Sequence, residues 1–157
     1  MEIKMKKTVF DSHTAGSLGH ACFAPMVAAY QAGVRGRAGM NPQQARISFF
    51  HTLSPGQKAL FIFFTYYDHA IRSEQEFLAV TQNYLRDQLF EAVQKGVWYF
   101  GDDAMHALLL KIGQALAKGG QGEIPALYRQ FRETAPGTLT VIGIRIKENP
   151  SAFICLE

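Results

Sequence analysis

A block of apolar, helix-periodic sequence, from about residue 54 to residue 118, constrains the fold of this chain more than any other feature. Ser54 and Ser73 each begin a capping-box pattern, and Asp102 and Asp103 place acidic side chains where the dipole of a third helix favours them, so the block predicts three long helices. Most of the 12 Phe, six Tyr and single Trp residues lie between residues 49 and 100. Because aromatic side chains bury the largest areas, we expect residues 54–118 to form a helical core.

The C-terminal segment has a different pattern. Residues 138–147 are rich in β-branched side chains that partly alternate, residues 148–151 are typical of a turn, and residues 152–156 form a second apolar run. This pattern predicts a β-hairpin over residues 138–156. Two strands alone are only marginally stable in water, so residues 2–10 or a second protomer would have to supply a pairing strand.

Taken together, these features predict one α+β domain over residues 1–157 that is predominantly helical. We expect a bundle of about four to six helices with the C-terminal β-hairpin, which an N-terminal strand can join. Residues 11–20 are rich in small side chains and are typical of a loop, so residues 1–20 predict an arm and a loop that can be flexible.

Composition places the chain among ordinary globular proteins. The hydrophobic fraction is 48% and the charged fraction is 18%, values typical of folded domains. No apolar run approaches the ~18 residues that span a bilayer, and no apolar signal segment follows the basic N-terminus. The two cysteines, Cys22 and Cys155, are interpreted as reduced thiols. We therefore expect a cytoplasmic protein with no membrane partner.

Positive charge is concentrated in the N-terminal third, where residues 1–58 hold seven Lys or Arg residues against two Asp or Glu residues. Arg35 and Arg37 lie in a Gly-rich segment just before a helix start at Asn41, and Arg46 follows one turn inside that helix. Free N–H groups at a helix start favour anions, so these three arginines are candidates to bind phosphate. The alternative is a solvated linker, because the segment matches neither established phosphate-loop motif.

The helix predicted after Ser54 carries apolar side chains on two sides. One side is an evident core stripe, made by Leu60, Phe63, Phe64, Tyr67 and Ile71. Ile62, Tyr66 and His69 lie on the side away from that stripe, where an ordinary surface helix would be polar. Either this helix is central and buried on both sides, or these three residues face a pocket or a partner.

Trp98 and His106 are further binding candidates. Trp98 belongs to an aromatic connector that either fills the core or offers a stacking surface to a planar ligand. His106 lies one turn after Asp102. We therefore expect the carboxylate of Asp102 to influence the His106 imidazole. A metal site shared by His69 and His106 would need further converging ligands, and no HExxH, ExxH or CxxC pattern is present. We expect no cofactor and no bound metal.

These residues rank three functional hypotheses. The first is a non-catalytic binding or regulatory protein that contacts another protein or forms a homodimer, since no catalytic motif is present. The alternative is a nucleic-acid or nucleotide phosphate binder that uses the basic N-terminal third. The third is a metal-dependent enzyme with a site between the helices that carry His69 and His106.

Overall fold

The computed structural model describes residues 1–36, 39 and 41–157 of the chain. Within these residues it contains eight α-helices, two single-turn 3₁₀-helices and a two-stranded parallel sheet. The helices are α1 (Lys7–Ser12), α2 (Ala15–Arg35), α3 (Pro42–His51), α4 (Pro55–Ala70), α5 (Glu74–Arg86), α6 (Phe90–Phe100), α7 (Asp103–Ala117) and α8 (Ile124–Glu148), and the strands are β1 (Lys4–Met5) and β2 (Cys155–Leu156). The predicted predominance of helix is confirmed, although the helices are more numerous than expected.

Helices α4, α5 and α7 begin where the sequence of the central block predicts helix starts. Ser54 and Gln57 form a reciprocal capping box at the start of α4. The Asp102 side chain accepts the Met105 N–H at 3.1 Å and begins α7. The helix expected after Ser73 is divided in two, because Gln88 adopts a left-handed φ of 58° between α5 and α6.

The predicted C-terminal β-hairpin is wrong. Residues 138–148 continue α8, and of residues 138–156 only Cys155–Leu156 is a strand, paired in parallel with Lys4–Met5. The β-branched residues lower helix propensity by only a few tenths of a kcal/mol each, so packing decides the outcome. Thr138, Ile142 and Ile146 recur at helical spacing and are all buried.

Close packing between α8 and α2 explains why the helix persists. At Gly143, an added Cβ would lie 1.8 Å from the carbonyl oxygen of Ala15, so the two backbones approach where neither side chain intervenes. At Gly19, a Cβ would lie 3.0 Å from Ile142 Cγ2. Helix α8 therefore continues through Pro136, which has no N–H to donate.

The N-terminal residues are also more regular than expected. Residues 7–12 form α1 and residues 15–20 form the first turns of α2, where the sequence predicted an arm and a loop. Thr14 caps α2 by accepting the Ser17 N–H, and Phe10 and Leu18 are buried. This segment therefore contributes side chains to the core.

Helix α4 is the central element of the fold. Its core stripe includes Leu60, Phe63 and Phe64, which are at most 1% exposed. It packs against α2, α5 and α6, and its remaining face borders a cavity. No helix in the described residues is long and apolar enough to cross a membrane.

Candidate ligand-binding cavity

An open cavity of about 670 Å³ lies over the face of α4 that points away from the core stripe. Helices α2, α3, α4, α5 and α6 all contribute to its lining, and its volume is within the ~300–1,000 Å³ typical of small-molecule sites. The apolar and aromatic lining residues are Val27, Tyr30, Ile47, Phe50, Phe61, Ile62, Ala79, Val80, Tyr84, Leu89 and Ala92. The polar and charged lining residues are Gln31, Arg46, His51, Thr65, His69, Glu76 and Asn83.

Helix α4 supplies the floor of the cavity through Ile62, Thr65 and His69. These residues are spaced by three and then four positions, so a regular helix places them on one face. Ile62 and His69 belong to the second apolar side that the sequence indicated. The structure therefore gives both features at once, a central helix and a cavity on its second side.

Tyr66 was predicted on that same face but does not line the cavity. Its side chain is fully buried, and its hydroxyl lies 2.8 Å from the Thr81 hydroxyl. Burial raises the pKa of the Tyr66 phenol. Because Tyr66 has no accessible surface in this fold, it cannot contact a partner or a ligand.

Aromatic side chains from four helices face the cavity. Tyr30, Phe50, Phe61 and Tyr84 come from α2, α3, α4 and α5, and the ring centroids of Tyr30 and Phe61 lie 6.0 Å apart. Ile47 of α3 is 51% exposed beside them. The cavity therefore presents apolar surface to water that a ligand would cover.

The polar groups of the floor are organised by one hydrogen bond across α4 and α5. The Tyr84 hydroxyl donates to Thr65 Oγ1 at 3.3 Å, and Thr65 in turn donates to the Phe61 carbonyl at 2.9 Å. Burial raises the pKa of Tyr84, and both this hydrogen bond and the positive charge of Arg46 partly oppose the shift. Arg46 lines the same cavity from α3.

Glu76 is the acidic residue of the described lining. Its Oε2 atom is buried without a hydrogen-bond partner among the described residues, and Arg72 Nε lies 3.8 Å from that atom. The arginine therefore offsets the carboxylate charge without satisfying its hydrogen-bonding capacity.

The two remaining predicted residues with described side chains lie elsewhere. Trp98 of α6 and His106 of α7 have ring centroids 4.9 Å apart, and Trp98 is 62% exposed. Trp98 therefore does not fill the core. His106 is absent from the cavity lining, so it shares no cavity with His69, and the described residues hold no group of three His, Cys, Asp or Glu side chains suited to a metal ion.

The phosphate hypothesis rested on Arg35, Arg37 and Arg46. Arg37 and the side chain of Arg35 lie outside the described residues. Arg46 is placed at the cavity, one of the charged residues beside the aromatic lining. Phosphate binding by the three arginines together stays a prediction.

Several lining residues had no signal in the sequence. Tyr30, Phe50 and Tyr84 resemble core aromatics, and Asn83 resembles a surface residue of an amphipathic helix. The one available hint was Ile47, an aliphatic residue near the middle of α3 that is exposed in the structure. No protein-family model, curated protein or solved structure matches this chain.

Proposed function

We propose that this chain is a non-catalytic binding protein that holds a small, mostly apolar molecule in the cavity over α4. The observation that supports the proposal is the cavity of about 670 Å³, in which aromatic residues of four helices face one open volume. Binding would cover the exposed part of Ile47 and the half-buried Ile62, and burial of apolar surface contributes about 25 cal/mol per Å².

A neutral fluorescent probe, N-phenyl-1-naphthylamine, tests the proposal. Its emission should rise and saturate with the wild-type protein as the probe leaves water. Ala79→Trp should abolish the rise, because Ala79 is an exposed residue of α5 on the cavity lining and a large side chain there would occupy the volume.

Ala104→Trp is the matched control, since Ala104 is exposed on α7 and lies outside the lining. Both variants should keep the thermal midpoint of the wild type. The proposal fails if the wild-type protein gives no saturable signal, or if the Ala79 variant binds the probe as the wild type does.

A second proposal concerns the partner predicted from the sequence, another protein or a second copy of this chain. The observation that favours it is the exposure of Trp98, 62%, and of Leu110, 41%, on the neighbouring helices α6 and α7. Tryptophan is enriched among residues that dominate interfaces. A homodimer on this surface should give a dimer mass in native mass spectrometry that Trp98→Arg removes, and a monomer at every concentration would contradict self-association.

A further inference from the structure

The cavity combines an aromatic lining with a positive charge that no described acidic residue balances. Arg46 takes part in no ion pair and no side-chain hydrogen bond within the described residues. Its guanidinium is permanently charged and presents donors in a planar fork. Such a group in an aromatic-lined cavity is suited to a carboxylate or a similar anionic group.

The acidic residues of α5 and α6 that could neutralise Arg46 are mostly engaged elsewhere. Asp87 has Arg86 Nε at 3.1 Å, and Glu91 has Lys95 Nζ at 2.9 Å. Glu76 lies on the cavity lining itself, but Arg72 is its near cation. His51 and His69 also line the cavity and bring no negative charge to it.

We propose that the ligand is a small organic anion with an aromatic body, its apolar part lying among Tyr30, Phe61 and Tyr84 and its anionic group bound by Arg46. This inference rests on the proposed function, because it names the class of ligand for the same cavity. Aromatic rings add favourable edge and face contacts to simple apolar burial.

A matched pair of probes separates the anionic group from the aromatic body. The probes are 2-naphthoate and 2-naphthylmethanol, which share the ring system and differ in charge. The wild-type protein should bind 2-naphthoate about tenfold more tightly, as a charge-assisted hydrogen bond allows. Arg46→Met should remove that preference and leave the affinity for 2-naphthylmethanol unchanged.

Arg129→Met is the control, because Arg129 is exposed on α8 and lies outside the lining. It should keep the wild-type preference, and both variants should retain the wild-type helical circular dichroism. If the wild type binds both probes equally, or Arg46→Met weakens both alike, the anionic ligand is wrong while the binding function stands. If neither probe binds the wild type, the proposed function itself fails.

Discussion

The hydroxyl groups of Tyr66 and Thr81 lie 2.8 Å apart between α4 and α5, and both side chains are fully buried. Thr81 also donates to the Phe77 carbonyl at 2.7 Å. Since the Thr81 hydrogen is used there, the Tyr66 hydroxyl must be the donor to Thr81. The bond fixes α5 beside the cavity floor on α4.

Because Tyr66 donates and Thr81 accepts, removing one hydroxyl or the other should cost different amounts of stability. Tyr66→Phe removes one hydrogen bond and leaves Thr81 still donating, so it should cost about 1 kcal/mol. Thr81→Val leaves the buried Tyr66 donor without an acceptor and should cost about 1–3 kcal/mol. Urea unfolding of both variants measures the difference, and a larger loss for Tyr66→Phe would contradict the assignment.

Close contact of α8 with α2 predicts opposite effects at two glycines. Gly143→Ala would place a Cβ 1.8 Å from the Ala15 carbonyl oxygen, so the helices must separate and the variant should lose at least about 1–3 kcal/mol of stability. Gly137→Ala on the same helix meets nothing within 4 Å among the described residues and should gain about 0.5–1 kcal/mol. Thermal unfolding of the two variants compares them, and equal midpoints would argue against the close contact.

The contact at Gly143 illustrates why the predicted β-hairpin over residues 138–156 is wrong. The β-branched residues from Thr138 onwards favour a strand locally, and Pro136 and Gly137 favour an end to the helix. Both preferences are small beside the burial of Ile142, which lies against Gly19 of α2, more than 100 positions away. A contact of that kind has no local signature.

The sequence was informative where a local rule decides the structure. The N-caps at Ser54 and Ser73 were predicted because a capping side chain lies within three residues of its partner. The second face of α4 was predicted from the spacing of Ile62, Tyr66 and His69, of which Ile62 and His69 line the cavity and Tyr66 is buried. The aromatic lining was not, because Tyr30 and Tyr84 reach the cavity from helices whose arrangement no spacing rule gives.

Asp68 predicts a pH dependence of stability. Its Oδ1 lies 2.7 Å from His20 Nε2, and burial raises its pKa above the ordinary 3.8, with the charges of His20, Arg72 and His69 opposing. Because this pKa is raised in the folded state, protonated Asp68 contributes stability to the fold. That contribution is complete below pH 3.8 and is lost as the pH rises through the raised pKa.

The variant Asp68→Asn does not ionise but keeps an oxygen acceptor for His20. It should therefore gain stability relative to the wild type as the pH rises from about 3 to 6, the range that spans the ordinary carboxyl pKa. Urea unfolding at each pH gives the difference. A relative loss across that range would mean that the attraction to His20 outweighs the cost of burial.

Neighbouring aromatics at the end of α6 predict contrasting effects on stability. Trp98 is 62% exposed and Phe100 is 1% exposed. Trp98→Ala should change the free energy of unfolding by no more than about 0.5 kcal/mol, as for other surface substitutions. Phe100→Ala should cost about 3–5 kcal/mol through the cavity it leaves. Chemical denaturation gives both values, and a large loss at Trp98 would place it in the core.

Titration of the methyl resonances with 2-naphthylmethanol tests the central claim most directly, because it locates the binding site as well as detecting it. Ile62, Val80 and Leu89 line the cavity, whereas Leu110 and Ile144 are exposed outside it. Binding in the cavity predicts saturable shifts for the first three residues and unchanged resonances for the other two. No saturable shift at Ile62, Val80 or Leu89, or equal shifts at Leu110 and Ile144, would contradict a ligand site over α4.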